Sequence, residues 1–241
     1  AVDAAGNVQR GATRFRWRVV ALATALVPRR ASLAGAVAQG LPLAVTCADG
    51  CRVGARLFGR RAEAARSGLA GRPVSRRDPA RPAAARGWAT VASASVRLAR
   101  AGSRTVALRL RPRSTRALAR TGTLPVRLGL VVRPRRSPGI VLSRRVTLVR
   151  RGAIALLRGR GLPLTAACSG ACAQRATGWI ADATARALGL RGRGVLGDGR
   201  NGLRPGTRYL SLATRVVARS RGGSVDFALR PALAARARLA R

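Results

Sequence analysis

The chain contains no histidine, no lysine and no methionine, and only seven of its 241 residues are acidic. Without histidine it lacks the side chain most often used as a general base near neutral pH, which excludes Ser-His-Asp and Cys-His catalysis. There is one glutamate, Glu63, and the six aspartates are scattered: Asp3 and Asp49 in turn sequences, Asp182 and Asp198 in stretches that read as loops, and Asp78 and Asp226 elsewhere. No carboxylate pair recurs, so glycosidase-type acid/base chemistry and a carboxylate metal triad are not expected, and the chain is read as no enzyme, with no cofactor and no small-molecule substrate. Aromatic residues are few. Phe15, Trp17, Phe58, Trp88, Trp179, Tyr209 and Phe227 stand singly, most at spacings that suit sandwich cores rather than a stacking platform for bases. Long apolar runs are also missing. The best arginine-free stretch, Ala31 to Cys51, has the length to cross a bilayer but contains Gln39, Gly40, Pro42, Asp49 and Gly50, and its second half alternates like a strand. No leader peptide is visible in the opening AVDAAGNV, so the chain is read as a mature protein or an excised fragment.

What is present in excess is arginine. All 48 basic residues are arginine, and the net charge is +41. GC-rich codons favour arginine over lysine and explain that choice, but aspartate and glutamate also have GC-rich codons, so codon bias does not explain the shortage of acids. The uncompensated charge repels itself and attracts polyanions at low salt. The arginines are spread over loops and the outward positions of strands rather than gathered beside aromatics, which argues against sequence-specific nucleic-acid recognition. The Gly-rich stretch from Gly189 to Gly206 lacks the P-loop pattern and reads as a surface loop.

One segment is written twice. Residues 40–51 read GLPLAVTCADGC and residues 161–172 read GLPLTAACSGAC, at a constant offset of 121. A period of that length is a domain rather than a solenoid unit. Residues 1–30 stand apart: a DAAGN turn precedes a stretch in which Phe15, Trp17 and Val19 alternate with Arg14, Arg16 and Arg18, as in a half-buried strand. Residues 31–150 form a first full copy. In it Leu41, Leu43, Val45 and Cys47 share one strand face, and Val53, Ala55 and Leu57 return along a second strand. Residues 60–87 hold at most one short helix followed by loop. Further strands are expected at Val91–Leu98, Thr105–Leu110, 124–132 and 139–149, with one or two helical turns over 111–120. Residues 151–241 begin a second copy. There Tyr209–Val217 and SVDFALRP match strands of the first, the latter to TVALRLRP at an offset of 119, and PALAARARLAR matches the short helix. The two closing strands of the first copy have no counterpart, so the second copy is expected to be incomplete.

The cysteines are Cys47, Cys51, Cys168 and Cys172, in two CxxxC pairs around Asp-Gly and Ser-Gly turns. Strand residues flanking such a turn lie at roughly the 4.4–6.8 Å Cα separation that a disulfide needs. Bridges Cys47–Cys51 and Cys168–Cys172 are therefore expected, each stapling a hairpin. The alternatives are a zinc site shared by all four cysteines, whose usual spacing is CxxC, and free thiols. The leading reading involves no metal site, and no ligand-binding residue can be named.

Taken together, the GLPL strand, the CxxxC hairpin, the Arg/Ala loop, the strand ending LRLRP, the short Arg/Ala helix and the VRLGLVV strand resemble the β-sandwich repeats of secreted and surface proteins from very GC-rich bacteria. The DAAGN turn is similar to the closing hairpin of bacterial immunoglobulin-like repeats. The resemblance implies an all-β chain of tandem immunoglobulin-like sandwich modules with short helical turns: residues 1–30 as the closing hairpin of a preceding module plus a linker, 31–150 as the first repeat, and 151–241 as a truncated second repeat. It carries over no catalytic residue and implies an extracellular or cell-surface structural or adhesion role. Arginine-rich faces would then meet anionic polysaccharide, cell-wall polymer or extracellular DNA without sequence preference. The competing function is a cytosolic arginine-rich nucleic-acid-binding protein with a structural four-cysteine zinc site. The oxidation state of the cysteines separates the two.

Overall fold

A computed structural model describes residues 23–83, 85–136, 138–150, 161–191, 194–197, 203 and 205–231. The expected N-terminal hairpin and the helix-like PALAARARLAR segment beyond Pro231 lie outside the described residues. The protein is all-β with short helices. In the first half run β1 (Ala23–Pro28), β2 (Arg30–Ser32), α1 (Leu33–Ala38), β3 (Leu41–Cys47), β4 (Cys51–Arg60), α2 (Arg61–Arg66), β5 (Arg72–Pro73), β6 (Trp88–Leu98), β7 (Gly102–Leu108), α3 (Thr115–Arg120), β8 (Thr123–Pro134) and β9 (Ile140–Val149). The second half adds β10 (Leu162–Cys168), β11 (Cys172–Ala181), α4 (Asp182–Ala187), β12 (Gly194–Leu196), β13 (Arg208–Arg219) and β14 (Gly223–Leu229).

In the first copy β1, β3 and β7 pair side by side, and a six-stranded sheet of order β2-β9-β8-β4-β6-β5 closes the sandwich. β2 runs parallel to β9, while the other pairs of that sheet are antiparallel. This is the strand order of an immunoglobulin-like domain, with the first strand split between the two sheets. Period-two alternation builds the core. Leu41, Leu43, Val45 and Cys47 meet Val53, Ala55 and Leu57, with Val126, Leu128, Leu130 and Val132 of β8 and Val146 and Leu148 of β9 in the same cluster. α3 follows Pro112, is capped by the Ser114 hydroxyl accepting from Ala117 N–H at 3.2 Å, and buries Leu118.

The repeat persists at the level of single residues. The irregular step in β4 falls between Leu57 and Phe58, and that in β11 between Gly178 and Trp179, again 121 apart. α2 and α4 both end in a left-handed glycine, Gly68 and Gly189, each with φ of +66°. The next residue returns its N–H to the helix in both cases, Leu69 to Ala64 O and Leu190 to Ala185 O, each at 2.8 Å. A side chain at Gly68 would strike the Ser114 carbonyl oxygen at 2.8 Å, so the turn needs glycine for space as well as for φ. The last matched strand corrects the sequence alignment. Leu229 lies opposite Leu162 as Leu108 lies opposite Leu41, so the structural offset is 121 rather than 119. Hairpin register decides this, because Gly223 faces Cys168 as Gly102 faces Cys47.

Several elements differ from the sequence expectations. The run ATALVP, read as linker, is β1, and it sits at the centre of a five-stranded sheet of order β14-β10-β1-β3-β7. The Gly-rich stretch carries β12, which pairs with β13. β1 hydrogen-bonds the equivalent strand of both copies. Ala25 lies opposite Val45 on one side and Ala167 on the other, and Leu26 lies opposite Ala44 and Ala166. Alternation then sends its residues to two different cores. Ala23, Ala25 and Val27 belong to the first-copy cluster, whereas Leu26 packs with Leu164, Ala176 and Leu229 of the second. A strand covered on both faces needs a run free of charge and largely apolar, and ATALVP supplies it, with Thr24 its one polar residue. Pro42 and Pro163 of the two GLPL segments lie just beyond the end of the β1 ladder, where their missing N–H is not needed.

The second copy has acquired polar residues where β1 joins it. Thr165, Ser169, Gln174 and Asp226 stand where the first copy has Ala44, Ala48, Val53 and Thr105. Ser169 Oγ accepts from Ala23 N–H at 2.9 Å, and Ser169 N–H donates to Ala23 O at 2.9 Å. The Gln174 side-chain amide donates to Ala167 O at 3.1 Å and to Ala25 O at 3.5 Å. Arg29 pairs with Asp226 at 2.7 Å, and Asp226 accepts from the buried Thr165 hydroxyl at 2.6 Å. On its other side β11 pairs with no described strand, whereas β4 at the same place pairs with β8.

Candidate anion-binding face

Each hairpin brings its cysteines together. Cys47 is bonded to Cys51 and Cys168 to Cys172, with Cα separations of 6.2 and 6.3 Å. β1 lies between the two bridges. Cys47 faces Ala23 and Cys168 faces Thr24, consecutive residues of one strand, so the two cysteines point to opposite faces of the sheet and are two strand spacings, about 10 Å, apart. Zinc holds its sulfurs at about 2.3 Å. A single site using all four sulfurs therefore has no geometry here, and the reading that depended on it loses its structural support. Among the described residues no group of three or more His, Cys, Asp or Glu side chains comes together.

Three of the described carboxylates, Asp78, Asp182 and Asp226, are held in ion pairs. Asp78, buried in the loop that precedes β6, pairs with Arg56 and accepts from Ala80 N–H at 3.0 Å. That loop lies over the outer face of the six-stranded sheet, where Ala80 and the Phe58 ring close over Gly129. Asp182, expected in a loop, instead opens α4 and pairs with Arg186 at 3.4 Å, an i,i+4 pair. Asp49 sits between Cys47 and Cys51 with both carboxylate oxygens buried and without a hydrogen-bond partner. Of the described aromatics only Phe58 is fully buried. Trp88 and Phe227 are half-exposed and carry guanidinium groups, Arg60 at 4.8 Å and Arg215 at 5.9 Å from their ring centres. These guanidinium groups cover part of each ring, which composition alone did not indicate.

Three ion pairs, Arg29–Asp226, Arg56–Asp78 and Arg186–Asp182, are present among the described residues. Most of the remaining described arginines face outward without a carboxylate; Arg144, opposite the core residue Leu128, is half-buried and donates to the Ser224 hydroxyl. Register gathers some of them. Arg52 of β4 lies directly opposite Arg97 of β6 and Arg133 of β8, and Arg127 of β8 lies opposite Arg145 of β9. Residues opposite one another in an antiparallel ladder share a face with Cβ atoms about 5 Å apart. The outer face of the six-stranded sheet thus carries rows of guanidinium groups, all exposed at the cysteine end. Sequence reading placed these arginines outside but could not align them, because the register between β4, β6 and β8 is a long-range property.

No helix among the described residues is long and apolar enough to cross a membrane; the arginine-free stretch holds α1 and β3 instead. No protein-family model and no curated protein matches the chain. Among solved structures it is similar to the native conformation of Escherichia coli alpha-2-macroglobulin, with 10% identity and a TM-score of 0.30 over 90% of this chain and 15% of that one. It is also similar to Salmonella alpha-2-macroglobulin reacted with methylamine, with 9% identity and a TM-score of 0.28 over 90% of this chain and 16% of that one. The chain thus spans about a sixth of the length of these proteins.

Proposed function

We propose that this protein is a non-enzymatic extracellular structural and adhesion module whose arginine faces hold anionic surface polymers weakly. One observation carries the reading: two stapled hairpins in a chain whose described arginines are almost all left without a carboxylate. Disulfides form and persist in oxidising compartments, which supports export. Uncompensated guanidinium rows on an exposed sheet face favour association with polyanions through counterion release, without sequence preference. The immunoglobulin-like frame presents those rows on a rigid surface. The module performs no covalent chemistry in this reading; the absence of histidine and the use of Asp78, Asp182 and Asp226 in ion pairs support it.

Retention on immobilised heparin and on DNA at ~0.15 M salt, near physiological ionic strength, tests the proposal. Retention on both, with log affinity falling linearly as log salt rises, is the expected result. Failure on both at that salt removes the binding half of the proposal and leaves the charge as a record of codon usage. Recovery of the protein from cells with all four thiols reduced would remove the extracellular half.

A further inference from the structure

We infer that Arg52, Arg97, Arg133 and Arg135 form a discrete site for a tetrahedral oxyanion, a phosphate or sulfate group. The inference rests on the reading of the arginine faces as anion-binding and narrows it to one place and one ligand chemistry.

Arg97, Arg52 and Arg133 form a cross-strand row over β6, β4 and β8, and Arg135 follows on the chain just past β8. All four line one open depression of about 250 Å³ at the strand ends, with Cys51 and Pro134 also in its lining. None has a carboxylate in ion-pair range among the described residues, and Asp49, in the turn before Cys51, makes no ion pair with them. Like charges directly opposite each other destabilise a sheet. An anion lodged among them reverses the sign of that interaction. The next outward position along β4 is Gly54, opposite Ser95 and Val131, and a Cβ built there meets nothing within 4 Å, so nothing crowds the row from the centre of the sheet.

The geometry selects the ligand. Each guanidinium is a planar fork of donors that binds two oxygens side by side. A carboxylate offers one such edge. A tetrahedral oxyanion presents several edges in different directions and can engage three or four forks at once.

The second copy argues that the cluster is not a by-product of composition. At the same register Ala173 lies opposite Ala218, in the places of Arg52 and Arg97, while Arg175 and Val216 stand where the first copy has Gly54 and Ser95. Codon bias acts on both copies alike, so it does not by itself place a facing pair of arginines, Arg52 and Arg97, at one site and a facing pair of alanines at its equivalent.

The test is calorimetric titration of the full chain with inorganic pyrophosphate, inorganic sulfate and acetate at ~0.15 M salt. The charge-preserving variant R52K/R97K/R133K replaces forks by point charges, and R100K/R111K/R116K makes the same change at exposed positions elsewhere. One pyrophosphate or sulfate per chain is expected, weakened about tenfold or more in the first variant and less than about twofold in the second. Sulfate binding comparable to pyrophosphate points to sulfated sources and its absence to phosphorylated ones; either supports the site. Equal weakening in both variants, or acetate binding as tight as pyrophosphate, overturns it. Retention on heparin with no difference between the variants leaves the broad reading standing without the site. Loss of heparin retention together with no pyrophosphate or sulfate binding ends both.

Discussion

Replacing Val27 by alanine tests whether β1 joins two cores into one cooperative unit. Val27 is fully buried in the first-copy cluster. The change removes two methyl groups, about 1.6 kcal/mol at ~0.8 kcal/mol per buried carbon. The cavity left behind adds roughly 1 kcal/mol if the neighbours relax little, at about 24 cal/mol per Å³. A loss of about 2–3 kcal/mol follows. The informative point is where it registers. Val27 also lies opposite Thr165 of β10, and its neighbour Leu26 packs into the second-copy cluster, so weakening β1 loosens the attachment of both halves. Trp88 in β6 and Trp179 in β11 report the two halves separately once Trp17 is replaced by phenylalanine and each remaining tryptophan is left in turn. In urea titrations both probes are expected to move to the same lower midpoint. A shift at Trp88 with Trp179 unmoved would show two independently folding modules and refute the shared strand. Leu26→Ala provides the mirror experiment. Leu26 is only half-buried, so about 1–2 kcal/mol is expected, again in both probes.

Two further outcomes follow from the same packing. Each CxxxC bridge closes a loop so short that the chain-entropy relation assigns it about 2 kcal/mol. Reduction should therefore lower the thermal midpoint without unfolding the protein at room temperature, and the non-reduced mass should be four hydrogen atoms below the reduced one; unfolding on reduction at room temperature would show that the staples carry the fold. Gln174→Val restores the first-copy residue, Val53, at the equivalent place. The glutamine loses its amide contacts to β1 and β10, but its Oε1 is buried without a partner, at a cost of about 1–3 kcal/mol. The variant is expected to be neutral or up to about 1 kcal/mol more stable by denaturant titration; a loss above ~2 kcal/mol would mean that those amide contacts dominate.

Much of the first copy was legible because its signals are local. Alternation in LPLAVTC and CRVGARL placed Leu41, Leu43, Val45, Val53, Ala55 and Leu57 inside, and each is buried. The Asp-Gly turn placed Cys47 within reach of Cys51, and the break-and-helix pattern after residue 60 appears as α2 followed by loop. The LRP match misled by two residues because it followed composition, whereas the strand follows the hairpin that opens at Gly223. In the sequence ATALVP reads as linker, because it lacks the period-two alternation of a half-buried strand; six residues without a charge are instead the mark of a strand covered on both sides.

Four properties could be read from the linear chain: its all-β character, a unit recurring at 121 residues, the local pairing of the cysteines, and arginines that face outward. Each depends on contacts between residues close in the chain or on a period of two, and such patterns survive in one dimension. Three others exist only in the folded molecule. β1 belongs to both copies, its two faces enter different cores, and Arg52, Arg97 and Arg133 stand in one row. Those outcomes depend on which strands lie side by side and in what register. Neighbours in a sheet are chosen by burying apolar faces against whatever the rest of the chain presents, and the linear order of residues does not state that choice.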